Sequence, residues 1–150
     1  MNNLEEDDLF AVLKEIEARL TPFMQEWGVL KIYTPMNVGA TSELSQVTPN
    51  IQVNYRRMRK TDEKARGRAV ALAPQWEVTV VVRHAASQLD ATQAFLLGGV
   101  LIKKVIKKLI GWQPKSSNEP LSLLNIDHDI SKMCLYVTGI FESKTNVIAD

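Results

Sequence analysis

The chain has 150 residues, 45% of them hydrophobic and 23% charged, with 18 basic side chains against 17 acidic ones. That is the length of one ordinary domain, 16.9 kDa, able to bury roughly 70% of its unfolded surface without help from disulfides or metal. The near-even charge excludes a histone-like polycation, and the apolar content excludes a disordered tail.

A single cysteine, Cys134, cannot close an intramolecular disulfide, and the start MNNLEEDDLF is acidic where a secretory signal is basic and then apolar. Folding in a reducing cytoplasm is the expectation. The most apolar run, Ala94 to Ile102, meets lysines after nine residues. A membrane span needs about 20, so none is expected.

Leu9, Val12, Leu13, Ile16 and Leu20 recur at helical spacing, which predicts an amphipathic helix from Glu5 to Leu20. Glu5, Glu6, Asp7 and Asp8 would sit in its first turn, where the helix dipole favours anions, and Pro22 would stop it. Val29 to Tyr33 reads as a short strand, and Thr34 to Pro49, with Pro35, Gly39 and Pro49, as a long polar loop. Ile51, Val53 and Tyr55 alternate with Gln52 and Asn54, the two-residue period of a half-buried strand.

The pattern then dissolves into charge. Arg56, Arg57, Arg59, Lys60, Lys64, Arg66 and Arg68 stand against Asp62 and Glu63, a local balance of plus five. From Gln75 to Arg83, Trp76, Val78, Val80 and Val82 share one strand face, with Val81 the exception on the other. No helical crossover pattern separates these two strands, so they are expected to form an antiparallel hairpin with Arg56 to Arg68 as a long loop projecting from the sheet end.

Asp90 followed by Gln93 resembles a capping box and starts a helix that runs to Ile110. Lys103, Lys104, Lys107 and Lys108 fall within an arc of about 140°, opposite Leu101, Ile102, Val105 and Leu109, which gives one core face and one solvated cationic face. Gly98 and Gly99 imply either a close backbone approach or a break in the helix. Gly111, Trp112 and Pro114 form a helix stop, with Gly111 in a left-handed cap.

Leu121 to Ile126 and Cys134 to Phe141 are two more strands, joined by a polar turn from Asp127 to Lys132, and the last few residues are expected to be loose. The class is α+β: an antiparallel-dominated sheet of about five strands with two helices packed on one face. Ile16, Trp76, Val78, Val80, Val82, Leu101, Val105 and Leu109 should be buried.

Catalytic constellations are scarce in the sequence. Asp127, His128 and Asp129 are the most metal-like string, but neighbours on an extended chain point to opposite faces, and no second His or Cys cluster accompanies them. Cys134 lies six residues after His128 and on an apolar strand reads as core. Gly98-Gly99 follows no strand and precedes no Lys-Ser or Lys-Thr, so it is not a phosphate loop. No catalytic, cofactor-binding or metal residue is assigned, and no enzyme activity or cofactor is expected. The candidate interaction residues are Arg56, Arg57, Arg59, Lys60, Lys64, Arg66 and Arg68.

Taken together, the strings Pro49-x-Ile51-x-Val53-x-Tyr55, Trp76-x-Val78-x-Val80-Val81-Val82-Arg83 and Gly111-Trp112-x-Pro114 resemble the tail terminator proteins of long-tailed phages, in particular the Mu-like prophage branch. The likeness covers Ile51 to Phe141, and it extends to the N-terminal helix and strand; Gly98-Gly99 stands where a Gly-Pro is expected.

The resemblance implies a single tail-terminator-like domain over residues 1–150. It implies a hexameric ring on the end of the tail tube, which halts tube polymerisation and offers the head a joining surface. Its partners would be the tail tube protein and the head-tail connector protein, with DNA only passing through the lumen and no membrane. Assembly would take place in the bacterial host cytoplasm, and the product would reside in the virion tail. On the residues alone two rivals remain: a small nucleic-acid binding module using the basic loop 56–68, with steeply salt-sensitive affinity, and a small enzyme whose site leaves no sequence trace.

Overall fold

A computed structural model describes residues 8–34, 45–84 and 91–150. The N-terminal apolar stripe forms helix α1, Ala11–Leu20, which buries Ala11, Val12, Ile16 and Leu20. The helix starts later than its sequence pattern suggests. Asp8 lies in the turn ahead of it, with its carboxylate accepting the Phe10 N–H at 2.9 Å, and α1 has no acidic residue in its first turn. Leu9 is 40% exposed instead of core. Glu5, Glu6 and Asp7 of the expected acidic turn lie outside the described residues.

Pro22 does not end the helical path either. It sits at the start of a 3-10 turn, Thr21–Phe23, where its missing N–H costs no bond, and a single helical turn, α2, Met24–Trp27, follows. Gly28 then ends α2 with φ +71°.

Six strands form one mixed sheet: β1 Lys31–Tyr33, β2 Asn50–Lys64, β3 Ala69–Arg83, β4 Ser122–Ile130, β5 Cys134–Glu142 and β6 Thr145–Ile148. Their order is β1-β2-β3-β5-β4, with β6 beside β3. Every pairing is antiparallel except β1 with β2. The α+β, mostly antiparallel class is as expected, with six strands among the described residues in place of about five.

Helix α3, Ala91–Leu109, joins α1 on one sheet face, and the core between them holds Ile16, Leu20, Ile51, Val53, Trp76, Val78, Val80, Val82, Leu101, Val105, Leu109, Leu135 and Phe141. All eight residues expected to be buried are at most 1% exposed. Val81 is equally buried on the opposite face. There the segment 45–49 is tied down by Asn50 Nδ2 donating to the Val47 carbonyl at 2.9 Å, Gln52 to Gln46 at 3.0 Å and Arg83 to the Gln46 carbonyl at 3.2 Å.

Helix α3 runs unbroken through Gly98 and Gly99, so close approach is the correct one of the two alternatives. A Cβ on Gly98 would stand 3.0 Å from Leu135 Cδ2 and 3.3 Å from Val137 Cγ2, whereas one on Gly99 would meet nothing within 4 Å. Asp90, and with it the capping box, lies outside the described residues. Gly111 adopts φ +74° and Trp112 N–H folds back to the Leu109 carbonyl at 3.2 Å, the expected stop.

The lysine face is only partly solvated. Lys103 and Lys107 are exposed, but Lys108 Nζ lies 4.0 Å from the centre of the Phe23 ring and its carbonyl accepts Arg19 Nε at 3.1 Å, tying α3 to the end of α1.

Two expectations near the C-terminus are overturned. Asp127 to Ile130 belong to β4, leaving Ser131 to Met133 as the connection to β5. The final residues are not loose: Thr145, Asn146, Val147 and Ile148 pair with Leu72, Ala71, Val70 and Ala69, and the Ala149 N–H reaches the Arg68 carbonyl at 2.7 Å.

Candidate functional site

The basic segment is not a loop. Arg56 to Lys64 continue β2 against Ala69–Gln75 of β3, and the chain reverses only in the short turn Ala65–Gly67. The result is an antiparallel ribbon that leaves the sheet body, thickened on its β3 side by β6. From Arg57 to Lys64 it extends about 23 Å at 3.3 Å per residue. No alternation is readable in its β2 strand because every residue there from Arg59 to Lys64 is exposed, and the seven cations are all exposed. At the tip, Ala65, Arg66 and Gly67 take φ of +54°, +58° and +85°, a reversal that only a left-handed backbone makes this tight.

Two register shifts, between Tyr55 and Arg57 and between Lys60 and Asp62, mark bulges in β2. The first has a direct electrostatic effect. Consecutive side chains on a regular strand diverge, yet here Arg56 Nη1 and Arg57 Nε both donate to Gln75 Oε1, at 2.6 and 3.2 Å. Gln75 is 2% exposed and donates its own amide to Glu142 Oε2 at 3.2 Å. Arg59 Nη2 stands 3.6 Å from the same carboxylate oxygen, and Arg56 Nε stands 3.5 Å from Glu77 Oε1. The ribbon base is thus neutralised by Glu77 and Glu142, two acids from β3 and β5 that the sequence reading did not connect with it. The signal available for Glu77 was its place on the polar face of β3.

Towards the tip the balance changes. Lys60 Nζ pairs with Glu63 at 3.6 Å, and Arg68 Nη2 donates to the Asp150 carbonyl at 3.0 Å. Lys64, Arg66 and Arg68 have no ion pair among the described residues. Asp62 lines a cleft with Lys64 and Ile148, Asp150 lies at Arg68, and Val147 and Ile148 are 42% and 74% exposed, so the tip combines a small cationic excess with an apolar margin.

The opposite end of the sheet carries a different surface. β4 is an edge strand, and nearly all of it is exposed. On its helix side Ile126 and Ile130 are 47% and 46% exposed, and the ring of His128 meets that of Phe95 edge-on at 6.0 Å. On its other side Asn125, Asp127 and Asp129 each accept the N–H of the following residue at 2.8–2.9 Å. The edge donors of Ile126, His128 and Ile130 are thereby occupied, which blunts the strand against backbone pairing with another chain.

The string Asp127, His128, Asp129 is split by this arrangement. Asp127 pairs with Thr138 and His128 with Val137, so the two acids and the imidazole lie on opposite sheet faces. Cys134 is on the face opposite His128, 1% exposed, and its N–H donates to Ser131 Oγ at 3.0 Å. His84 is also committed locally, with Nε2 3.1 Å from the Ser131 carbonyl.

A cavity of about 220 Å³ lies between α1 and β6, lined by Asp8, Leu9, Val12, Pro74, Ser143 and Val147 among others. A wider depression of about 600 Å³, lined by Glu15, Arg19, Trp112 and Lys115 among others, is open surface. No helix among the described residues is long and apolar enough to cross a membrane.

No curated protein matches the chain. A family model described as phage tail terminator protein matches residues 6–148.

Proposed function

The chain belongs to the phage tail terminator family, and so to the structural proteins of the phage tail; from that premise we propose that it closes the end of the tail tube as a ring of six subunits. The ring halts addition of tube subunits and presents the surface to which a head-tail connector protein joins. Assembly takes place in the host cytoplasm, DNA passes through the lumen, and the work is non-covalent, performed by residues 1–150 as one domain. The observation that carries the reading is the ribbon β2–β3. It holds its cations about 23 Å along a projecting arm, where they meet another macromolecule's surface more readily than a small substrate.

A ring follows when two different patches of one subunit meet head to tail and the rotation closes. The test is to add purified protein to growing tail tubes and measure tube lengths and end structures by electron microscopy, with particle mass measured in parallel. Uniformly capped, arrested tubes and a particle near 101 kDa, six times 16.9 kDa, are the expected result. Continued growth with uncapped ends refutes the proposal.

A further inference from the structure

Two surfaces described above are complementary and cannot meet within one subunit. The ribbon tip carries Lys64, Arg66 and Arg68 against Asp62 and Asp150, a cationic excess, beside exposed Val147 and Ile148. The β4 edge carries Asp127 and Asp129 beside exposed Ile126 and Ile130. Neither acid has an ion pair among the described residues. Asp127 lies level with Thr138 and so with Thr79 of β3, whereas Lys64 lies level with Ala69 of the same strand. Ten residues of β3 separate the two levels, about 33 Å at 3.3 Å per residue, several Debye lengths at physiological salt.

We propose that the ribbon tip of one subunit docks on the β4 edge of the next, so that the occupant of that edge is a second copy of this chain. This inference rests on the ring reading above and assigns its subunit contact. The tip straddles the edge strand: Ile126 and Ile130 on its helix face meet the apolar margin of Val147 and Ile148, and Asp127 and Asp129 on its other face meet Lys64, Arg66 and Arg68. Opposite charge on two distinct patches sets the head-to-tail direction and disfavours tip-to-tip and edge-to-edge pairing. The contact is made by side chains. One oxygen of each β4 carboxylate is held by a backbone N–H, which orients the group and leaves the other oxygen for an arginine or lysine.

The test uses two full-length variants. The first carries Asp127→Lys and Asp129→Lys; the second carries Lys64→Glu, Arg66→Glu and Arg68→Glu. Sedimentation velocity across a concentration series, with tail-tube capping alongside, should show each variant alone self-associating at least tenfold more weakly than wild type. An equimolar mixture should regain wild-type association, because the two kinds alternate around a ring of even number with every contact oppositely charged.

Should the lysine variant misfold, Asp127→Asn with Asp129→Asn keeps the side-chain acceptor that Asn125 already provides and must still weaken association and flatten its salt dependence. If wild type assembles while either reversed variant assembles equally well, or if the mixture stays dissociated, the docking proposal is overturned and the ring stands. If wild type forms no ring in solution or on tubes, the ring reading fails and this proposal fails with it.

Discussion

Gly98 and Gly99 are adjacent on one helix, and alanine at each should shift stability in a different way. Replacing glycine by alanine inside a helix gains about 1 kcal/mol of propensity, and that term is common to both sites. At Gly99 nothing opposes it, since a Cβ meets no atom within 4 Å, so Gly99→Ala should stabilise by about 1 kcal/mol. At Gly98 the new methyl would sit 3.0 Å from Leu135 Cδ2 and 3.3 Å from Val137 Cγ2, inside the roughly 3.5–4.0 Å that carbon atoms prefer.

Leu135 is fully buried and has little room to yield, so overpacking of about 1–3 kcal/mol cancels or exceeds the gain. Gly98→Ala should therefore lie about 1–3 kcal/mol below Gly99→Ala. For a chain of this length each kcal/mol moves the melting midpoint by about 2–4 °C, well resolved by circular dichroism in thermal or urea melts. If Gly98→Ala melts at or above Gly99→Ala, the close packing of α3 on β5 does not limit this position and the reasoning is wrong.

Val80→Asp should abolish cooperative folding, because an unpaired carboxylate at a fully buried position costs several kcal/mol against a total of about 5–15; a soluble variant with a sharp melt would contradict the core assignment. Trp76→Phe removes the Nε1–H donated to Ser143 Oγ at 2.9 Å and leaves a hydroxyl 1% exposed without that donor. Denaturant melts should show a loss of about 1–3 kcal/mol, and Ser143→Ala added to it should cost little more; full additivity would show the bond to be unimportant. Changing Arg66 and Arg68 together to Ala should leave the fold intact, since both are exposed and neither pairs with a buried carboxylate among the described residues. It should weaken tube capping while duplex DNA affinity, measured by filter retention, changes little; unaltered capping would make the ribbon a solvated bystander.

The periodicities that report burial were legible from residues alone. Ile16 on α1, Trp76, Val78, Val80 and Val82 on β3, and Leu101, Val105 and Leu109 on α3 each repeat at the spacing of one buried face, and all are core. The Gly111 cap was legible too, because a left-handed helix end is a local requirement that glycine meets alone. So was the concentration of cations between Arg56 and Arg68, as composition, though not as architecture.

What tertiary structure decided is whatever depends on a partner distant in sequence. Arg56 to Lys64 form a strand because β3 supplies hydrogen bonds along their length, and a strand exposed at every residue from Arg59 to Lys64 carries no alternation for a sequence reading to find. Thr145 to Ile148 form a strand for the same reason: β5 stops at Glu142 and leaves the edge of β3 from Ala69 to Leu72 open for them. The pairing of Arg59 with Glu142, 83 positions apart, and the distance between the cationic tip and the acidic β4 edge belong to the fold, since charge is written in the residues but which charges meet is set by the register of the strands that carry them.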